Sequence, residues 1–165
     1  MIQKKICMLG GFSVGKTSLI ARYVHSRFSE KYLTSVGVKI EKKNVKVGDQ
    51  DVNLLLWDIY GEDDFQKIKM SFLTGSSGYF LVVDGTRKAT FEMACKLQQS
   101  AEATVGKVPF TLVLNKADLS ETWELDESEL DRLSQSGWKV VRTSAKTGMG
   151  VEETFLDLAQ RMVSG

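Results

Sequence analysis

The sequence has little of the chemistry that several classes of protein depend on. It contains one proline, one histidine and two cysteines in 165 residues. Without a cysteine cluster or a second histidine, neither a zinc site nor histidine-dependent acid–base catalysis is expected. Cys7 and Cys95 lie far apart within apolar segments, which indicates buried thiols in a reducing compartment. No secretory leader pattern is present and no apolar run approaches about 18 residues, so we predict a cytoplasmic protein.

The sequence also lacks a large excess of positive or of negative charge. The formal net charge is +1, which argues against a nucleic acid as the partner. A hydrophobic content of 42% and a charged content of 26% are typical of a globular protein. The length suits a single domain that spans residues 1–165, and we expect a monomer.

Strand-like and helix-like segments alternate along the chain. Helical periodicity covers 16–25, 91–104, 128–134 and 151–163, whereas the short apolar runs predict buried strands. This alternation predicts an α/β fold with helices on both faces of a mostly parallel sheet. The segment before "NLLLWD" instead predicts an antiparallel hairpin around 47–50, which would make the sheet mixed. The apolar runs are "KKICMLG", "NLLLWD", "GYFLVVDG", "FTLVLNK" and "WKVVRTS".

The first strand runs into a glycine-rich loop at 10–17, "GGFSVGKT", and then into a helical segment. A GxxxxGK[ST] pattern between a strand and a helix is typical of a phosphate-binding loop, whereas a plain glycine-rich turn is the alternative. Backbone N–H groups and the helix N-terminus would bind phosphate oxygens. Lys16 would reach the β- and γ-phosphates and Thr17 would ligate Mg²⁺. The residues expected to contact phosphate are Gly11, Phe12, Ser13, Val14, Gly15, Lys16, Thr17 and Ser18.

Two further motifs follow the last two strands, namely Asn115-Lys116-Ala117-Asp118 and Ser144-Ala145-Lys146. A carboxylate at Asp118 can accept side-by-side hydrogen bonds from guanine, and adenine offers no such pair of donors. The stem of Lys116 can lie along the face of the base, and a backbone N–H near Ala145 can donate to the guanine carbonyl. Each motif alone is weak, but their order behind a phosphate loop favours a guanine-nucleotide site. A P-loop ATPase or kinase would require an adenine pocket, against which Asp118 argues.

With these motifs in place, the chain resembles the small GTPases of the Ras superfamily, and the Rab branch in particular. The resemblance extends through "KKICMLGGFSVGKTSLI", "YLTSVGV", "LLLWDIYGEDDF", "GYFLVVDGT", "VPFTLVLNKADL" and "TSAKTGMGVEETF". It implies a six-stranded mixed sheet flanked by five helices, with GTP or GDP and Mg²⁺ as ligands. It also implies two switch segments, an exchange factor, a GTPase-activating protein and effectors as partners.

The resemblance also implies roles for residues outside the loops. Phe28 matches the aromatic residue that packs on guanine, although a core or loop aromatic is the alternative. Ser35, beside Thr34, occupies the switch I position whose hydroxyl binds Mg²⁺. Asp58 matches the aspartate that holds Mg²⁺ through water, although an aspartate that caps a turn is the alternative. Gly61 matches the glycine whose N–H contacts the γ-phosphate.

Glu62 and Phe12 depart from the family pattern. Glu62 occupies the position of the glutamine that orients the attacking water, but an ionised glutamate can only accept hydrogen bonds. Asp63 and Asp64 add negative charge beside it. Phe12 replaces a small residue and would crowd an arginine finger from an activating protein. The residues that the resemblance places around the reacting γ-phosphate are Lys16, Ser35, Gly61 and Glu62.

Both departures predict slow intrinsic hydrolysis of GTP. We therefore expect a GTP/GDP switch that needs water-orienting groups from an activating partner. The alternative is a guanine-nucleotide-binding interaction module that does not hydrolyse GTP.

Two further expectations concern partners and membranes. Ile40, Trp57 and Phe72 occupy the positions of an aromatic-rich effector patch, with a place in the sheet core as the alternative for each. The sequence has no CaaX box, so we expect either a trimmed domain or a protein that acts without a lipid anchor.

Overall fold

The computed structural model describes residues 2–11, 13–25, 37–60 and 70–164. These residues form six strands, four α-helices and two short 3-10 helices. The strands are β1 (Ile2–Gly10), β2 (Gly37–Val47), β3 (Gln50–Tyr60), β4 (Gly78–Asp84), β5 (Phe110–Asn115) and β6 (Lys139–Arg142). The α-helices are α1 (Lys16–His25), α2 (Lys88–Val105), α3 (Glu127–Gln135) and α4 (Val151–Ser164), and the 3-10 helices are Met70–Leu73 and Ala117–Thr122.

The strands form one mixed sheet in the order β2-β3-β1-β4-β5-β6. The pair β2–β3 is antiparallel, and the other four pairs are parallel. The hairpin therefore lies at one edge of the sheet, and the predicted α/β fold is confirmed.

The helices begin and end close to the predicted positions, with one clear difference. Helix α2 begins at Lys88, three residues before the predicted start at Phe91. Thr90 explains the early start, because its hydroxyl accepts from the Asp84 N–H and donates to the Arg87 carbonyl. Of the five helices that the resemblance implies, four are α-helices in the described part of the chain.

The core has two layers, one on each face of the sheet. On the face of α1 and α4, Phe155 stacks on Tyr23 with ring centroids 4.1 Å apart and meets Phe80 edge-on at 4.9 Å. The other face packs Leu81, Leu112 and their neighbours against α2 and α3. Cys7 lies fully buried in this second layer, whereas Cys95 is only half-buried, so the prediction of burial holds for one thiol of the two.

The parallel arrangement brings the carboxyl ends of β1, β3, β4 and β5 to one edge of the sheet. Loops at this edge are where open α/β sheets bind ligands. None of the helices in the described ranges is long and apolar enough to cross a bilayer.

Candidate functional site

The phosphate loop, residues 10–17, connects the buried end of β1 to the first turn of α1. The Lys16 ammonium points into this loop and donates to the carbonyl oxygens of Gly10 at 3.1 Å and Gly11 at 3.2 Å. Lys16 is only 8% exposed. Burial lowers its pKa, and the nearby Asp58 charge opposes that shift. A cation enclosed by carbonyls beside a helix N-terminus is suited to an anionic ligand.

Ser13 at 59° and Gly15 at 106° have a positive φ within this loop. A Cβ atom on Gly15 would lie 2.2 Å from Nδ2 of Asn115. That same Nδ2 donates to the Val14 carbonyl at 3.0 Å. Glycine is therefore required at position 15 both for the backbone conformation and for the approach of the Asn115 side chain.

Gly15→Ala is expected to lower the free energy of unfolding by about 1–3 kcal/mol and to weaken nucleotide binding, because it adds the clash with Asn115 to the backbone strain. Gly48→Ala is the matched control. Gly48 also has positive φ, at 60°, but a Cβ there would meet nothing within 4 Å. Urea denaturation and release of a fluorescent GDP analogue measure the two effects. Equal losses in both variants would contradict the role assigned to the contact with Asn115.

Thr17 and Asp58 meet beside the loop, as a magnesium site requires. The Thr17 hydroxyl donates to Oδ2 of Asp58 at 2.5 Å, and Asp58 is 1% exposed. Hydroxyl and carboxylate oxygens suit Mg²⁺, which uses few protein ligands together with water and phosphate oxygens. The described residues contain no group of three or more acidic, histidine or cysteine side chains that could hold a metal by themselves. The pair therefore fits a Mg²⁺ ion whose coordination is completed by a phosphate ligand.

The first base loop, residues 115–118, is held against the second, residues 144–146. Oδ1 of Asn115 accepts from the Thr143 hydroxyl at 3.2 Å and from the Ala145 N–H at 3.3 Å. The Ser144 hydroxyl donates to Oδ1 of Asp118 at 2.7 Å. Sequence reasoning missed this bond, which orients the Asp118 carboxylate. The Ala145 N–H is already engaged, so a guanine carbonyl would have to share that donor with Asn115.

Asp84, at the end of β4, is a buried carboxylate that the sequence analysis did not single out. It accepts from the Lys116 ammonium at 2.7 Å, from Arg87 at 3.0 Å, and from the N–H and hydroxyl of Thr86. Burial alone would raise the pKa of Asp84, but the hydrogen bonds from Lys116, Thr86 and Arg87 outweigh it and lower the pKa. Asp84 lies at the carboxyl end of a buried strand, and this position in the sequence could have identified it as a candidate site residue.

Arg22 in the last turn of α1 holds the second base loop from outside. Its Nε donates to the Ala145 carbonyl at 2.8 Å, and its Nη2 donates to the Lys146 carbonyl at 2.5 Å. No spacing rule could have revealed this contact, because it joins residues more than 120 positions apart in the chain.

The residues of the predicted effector patch lie on β2, on β3 and in the 3-10 helix Met70–Leu73. Ile40 is 45% exposed and lies directly opposite Trp57 in the β2–β3 pair. Trp57 is half-buried beneath Lys5, whose ammonium lies 3.5 Å from the ring centroid. The same ammonium donates to the Phe72 carbonyl at 2.6 Å. Among the described residues the Trp57 Nε1–H has no hydrogen-bond partner. Trp57 is therefore less exposed than the sequence suggested, but it remains at the surface.

Several predicted site residues lie outside the described residues, and their assignments stay predictions. They are Phe12, Phe28, Thr34, Ser35, Gly61, Glu62, Asp63 and Asp64.

Comparison with known proteins agrees with this geometry. A sequence model of the Ras family matches residues 5–164. The chain is 33% identical over 161 residues to the Ras-related protein Rab-21 of Mus musculus, covering 96% of this chain and 72% of that protein. It is 32% identical over 162 residues to the Ras-related protein Rab-4 of Dictyostelium discoideum, covering 97% and 79% respectively. It is 30% identical over 161 residues to the Ras-related protein Rab-1 of Theileria parva, covering 96% and 73%. The chain therefore belongs to the Rab branch of the Ras family, small GTPases that act as molecular switches by binding GTP or GDP with Mg²⁺ and hydrolysing GTP.

Proposed function

We propose that Asp118 selects guanine and that the phosphate loop, Thr17 and Asp58 hold the phosphates and Mg²⁺. The observation that carries this proposal is the bond from the Ser144 hydroxyl to Asp118, at 2.7 Å, which orients an exposed carboxylate beside the second base loop. A carboxylate fixed in this way can accept from both N1–H and the exocyclic amine of guanine. Lys116 supplies the stem that covers the base.

At the other end of the site, the Lys16 ammonium would exchange its bonds to loop carbonyls for bonds to phosphate oxygens. Thr17 and Asp58 would hold the metal, together with Ser35 as the resemblance implies. Bound Mg²⁺ would neutralise charge on the β- and γ-phosphates. Gly11, Ser13, Val14, Gly15 and Ser18 would contribute backbone or side-chain donors around the same phosphates.

We further propose that intrinsic hydrolysis is slow, because Glu62 replaces the water-orienting glutamine, and that Phe12 would crowd the arginine finger of an activating partner. Because Glu62 departs from the family pattern, one alternative stays open. It is an interaction module that binds GTP or GDP without hydrolysing GTP. Release of phosphate over multiple turnovers, with and without an activating protein, separates the two.

The guanine assignment is tested by the nucleotide that co-purifies with the chain and by competition. We expect GDP or GTP to elute on chromatography, and GTP but not ATP to displace a fluorescent GDP analogue. Asp118→Ala should weaken GDP binding about tenfold or more, because charge-assisted hydrogen bonds are lost. Asp131→Ala, an exposed aspartate on α3, serves as the control and should leave binding unchanged. Equal displacement by ATP and GTP would contradict the assignment.

Regulators and effectors are general partners of this family. For this chain we propose that effectors contact the patch of Ile40, Trp57 and Phe72. Its support is an exposed isoleucine paired across the strands with a half-buried tryptophan. Tryptophan side chains are enriched among the residues that carry most of the binding energy at protein interfaces. Monomeric state and cytoplasmic location stay predictions of the sequence.

A further inference from the structure

Trp123 lies five residues beyond the first base loop, just after the 3-10 helix Ala117–Thr122. Its indole turns back toward the loop, and its Nε1–H donates to the Lys116 carbonyl at 2.9 Å. The side chain is half-buried, and its ring lies 5.5 Å from the guanidinium carbon of Arg142. Arg142 is itself fixed by a 2.6 Å bond to Glu127. The ring therefore contacts one residue of the base loop, Lys116, and one residue outside it, Arg142.

Gly85 forms the other wall of the slot that holds this ring. A Cβ atom on Gly85 would lie 2.1 Å from Cε2 of Trp123, a separation that no real side chain tolerates. The Gly85 backbone is anchored on both sides, because its N–H donates to the Asn115 carbonyl at 3.2 Å and its carbonyl accepts from the Glu124 N–H at 2.9 Å. The absence of a side chain at position 85 therefore makes room for the indole next to the base loop.

Lys116 needs such support because it has φ 68° and ψ 40°, a left-handed conformation that is unfavourable for a residue with a side chain. Its ammonium is held by Asp84 at 2.7 Å and by the Ser13 carbonyl at 3.4 Å. Its carbonyl is held by Trp123. The two attachments fix the residue at both ends, and with it the direction in which the chain leaves toward Asp118.

We infer that Trp123 is a positioning residue for base recognition: its hydrogen bond to the Lys116 carbonyl sets the orientation of Lys116 and Asp118 against guanine. This inference rests on the proposed function, in which Asp118 accepts from the exocyclic amine of the base. A purely structural role would alter stability but would not alter discrimination between bases that differ only at that amine.

The test compares release of GDP with release of inosine diphosphate, which lacks the exocyclic amine. Trp123→Phe keeps an aromatic ring in the slot and removes the donor. We expect it to accelerate GDP release about three- to tenfold, the effect of one lost hydrogen bond, and to accelerate release of inosine diphosphate less. The ratio of the two release rates should therefore move toward one. Gly85→Ala, which displaces the ring by a different route, should change the ratio in the same direction.

Trp138→Phe is the matched control. Trp138 is also half-buried, but it packs edge-on against Phe110, the first residue of β5, at the end of the strand remote from the base loops. Its substitution should leave the ratio unchanged. An unchanged ratio in Trp123→Phe, or an equal change in Trp138→Phe, overturns the inference. If the unsubstituted chain itself binds GDP and inosine diphosphate equally, the guanine assignment of Asp118 fails instead, and the two failures are therefore distinguishable.

Discussion

Replacing Lys16 with methionine is expected to weaken GDP binding about 10²- to 10⁴-fold. Lys16 is 8% exposed and its ammonium donates to two loop carbonyls, so this group is already placed inside the phosphate loop. Two charge-assisted hydrogen bonds to phosphate oxygens are worth about 3–6 kcal/mol, which gives the expected range. Methionine has a similar length and no charge. The loss of affinity in this variant therefore measures the contribution of the positive charge, because the side-chain volume is largely kept. Equilibrium titration with a fluorescent GDP analogue measures it.

If Lys16 binds phosphate, two further results should accompany the loss of GDP affinity. The nucleotide-free Lys16→Met variant should retain its free energy of unfolding, because burial already disfavours the Lys16 charge and lowers its pKa. As a control for net charge, Lys96→Met removes an exposed lysine from α2 and should bind GDP normally. If Lys16→Met bound GDP within a few-fold of the unsubstituted chain, phosphate binding in this loop would be disproved.

Replacing Glu62 with glutamine is expected to accelerate intrinsic GTP hydrolysis by up to about a hundredfold. At the position that the resemblance gives Glu62, a full negative charge roughly 5 Å from the γ-phosphate would be repelled by about 3 kcal/mol at an effective dielectric constant of about 20. Glutamine removes that repulsion and restores a group that donates to phosphate while accepting from water. Single-turnover hydrolysis with purified protein and Mg²⁺ measures the rate.

Asp63→Asn is the matched control for this change. It removes the same amount of charge from the adjacent residue without restoring the water-orienting amide. We expect a smaller acceleration from it than from Glu62→Gln. A sharp fall of the rate in Glu62→Gln would show that Glu62 itself acts in hydrolysis, and the hypothesis of a weakened active site would then be abandoned.

The parts of this fold that the sequence predicts are those set by local patterns. The β2–β3 hairpin followed from two strand-like runs around 47–50, and the structure pairs Val47 with Gln50 there. The phosphate loop followed from glycines and Lys16 between a strand and a helix. Asp118 and Ser144 were each predicted from a short motif, because both motifs follow strands of the parallel sheet and must meet at one edge.

The contacts that escaped prediction are those that join distant parts of the chain through side chains. Arg22 reaches the carbonyls of the second base loop from α1, and Asp84 holds Lys116 from a different strand. The sequence pattern assigned no role to either residue, so only the folded arrangement shows which partners they find. Trp123 packs where Gly85 has no side chain, and neither residue alone predicts this contact from the sequence.

Asn115 has a consequence for how the protein can release its ligand. Its amide nitrogen is bonded to the Val14 carbonyl in the phosphate loop, and its amide oxygen to Thr143 and Ala145. One side chain thus ties together the segments proposed to grip opposite ends of the nucleotide. The phosphate loop cannot move away from the second base loop without breaking either the bond to Val14 or the bonds to Thr143 and Ala145, so we expect a partner that opens the phosphate end to disturb the base loops as well.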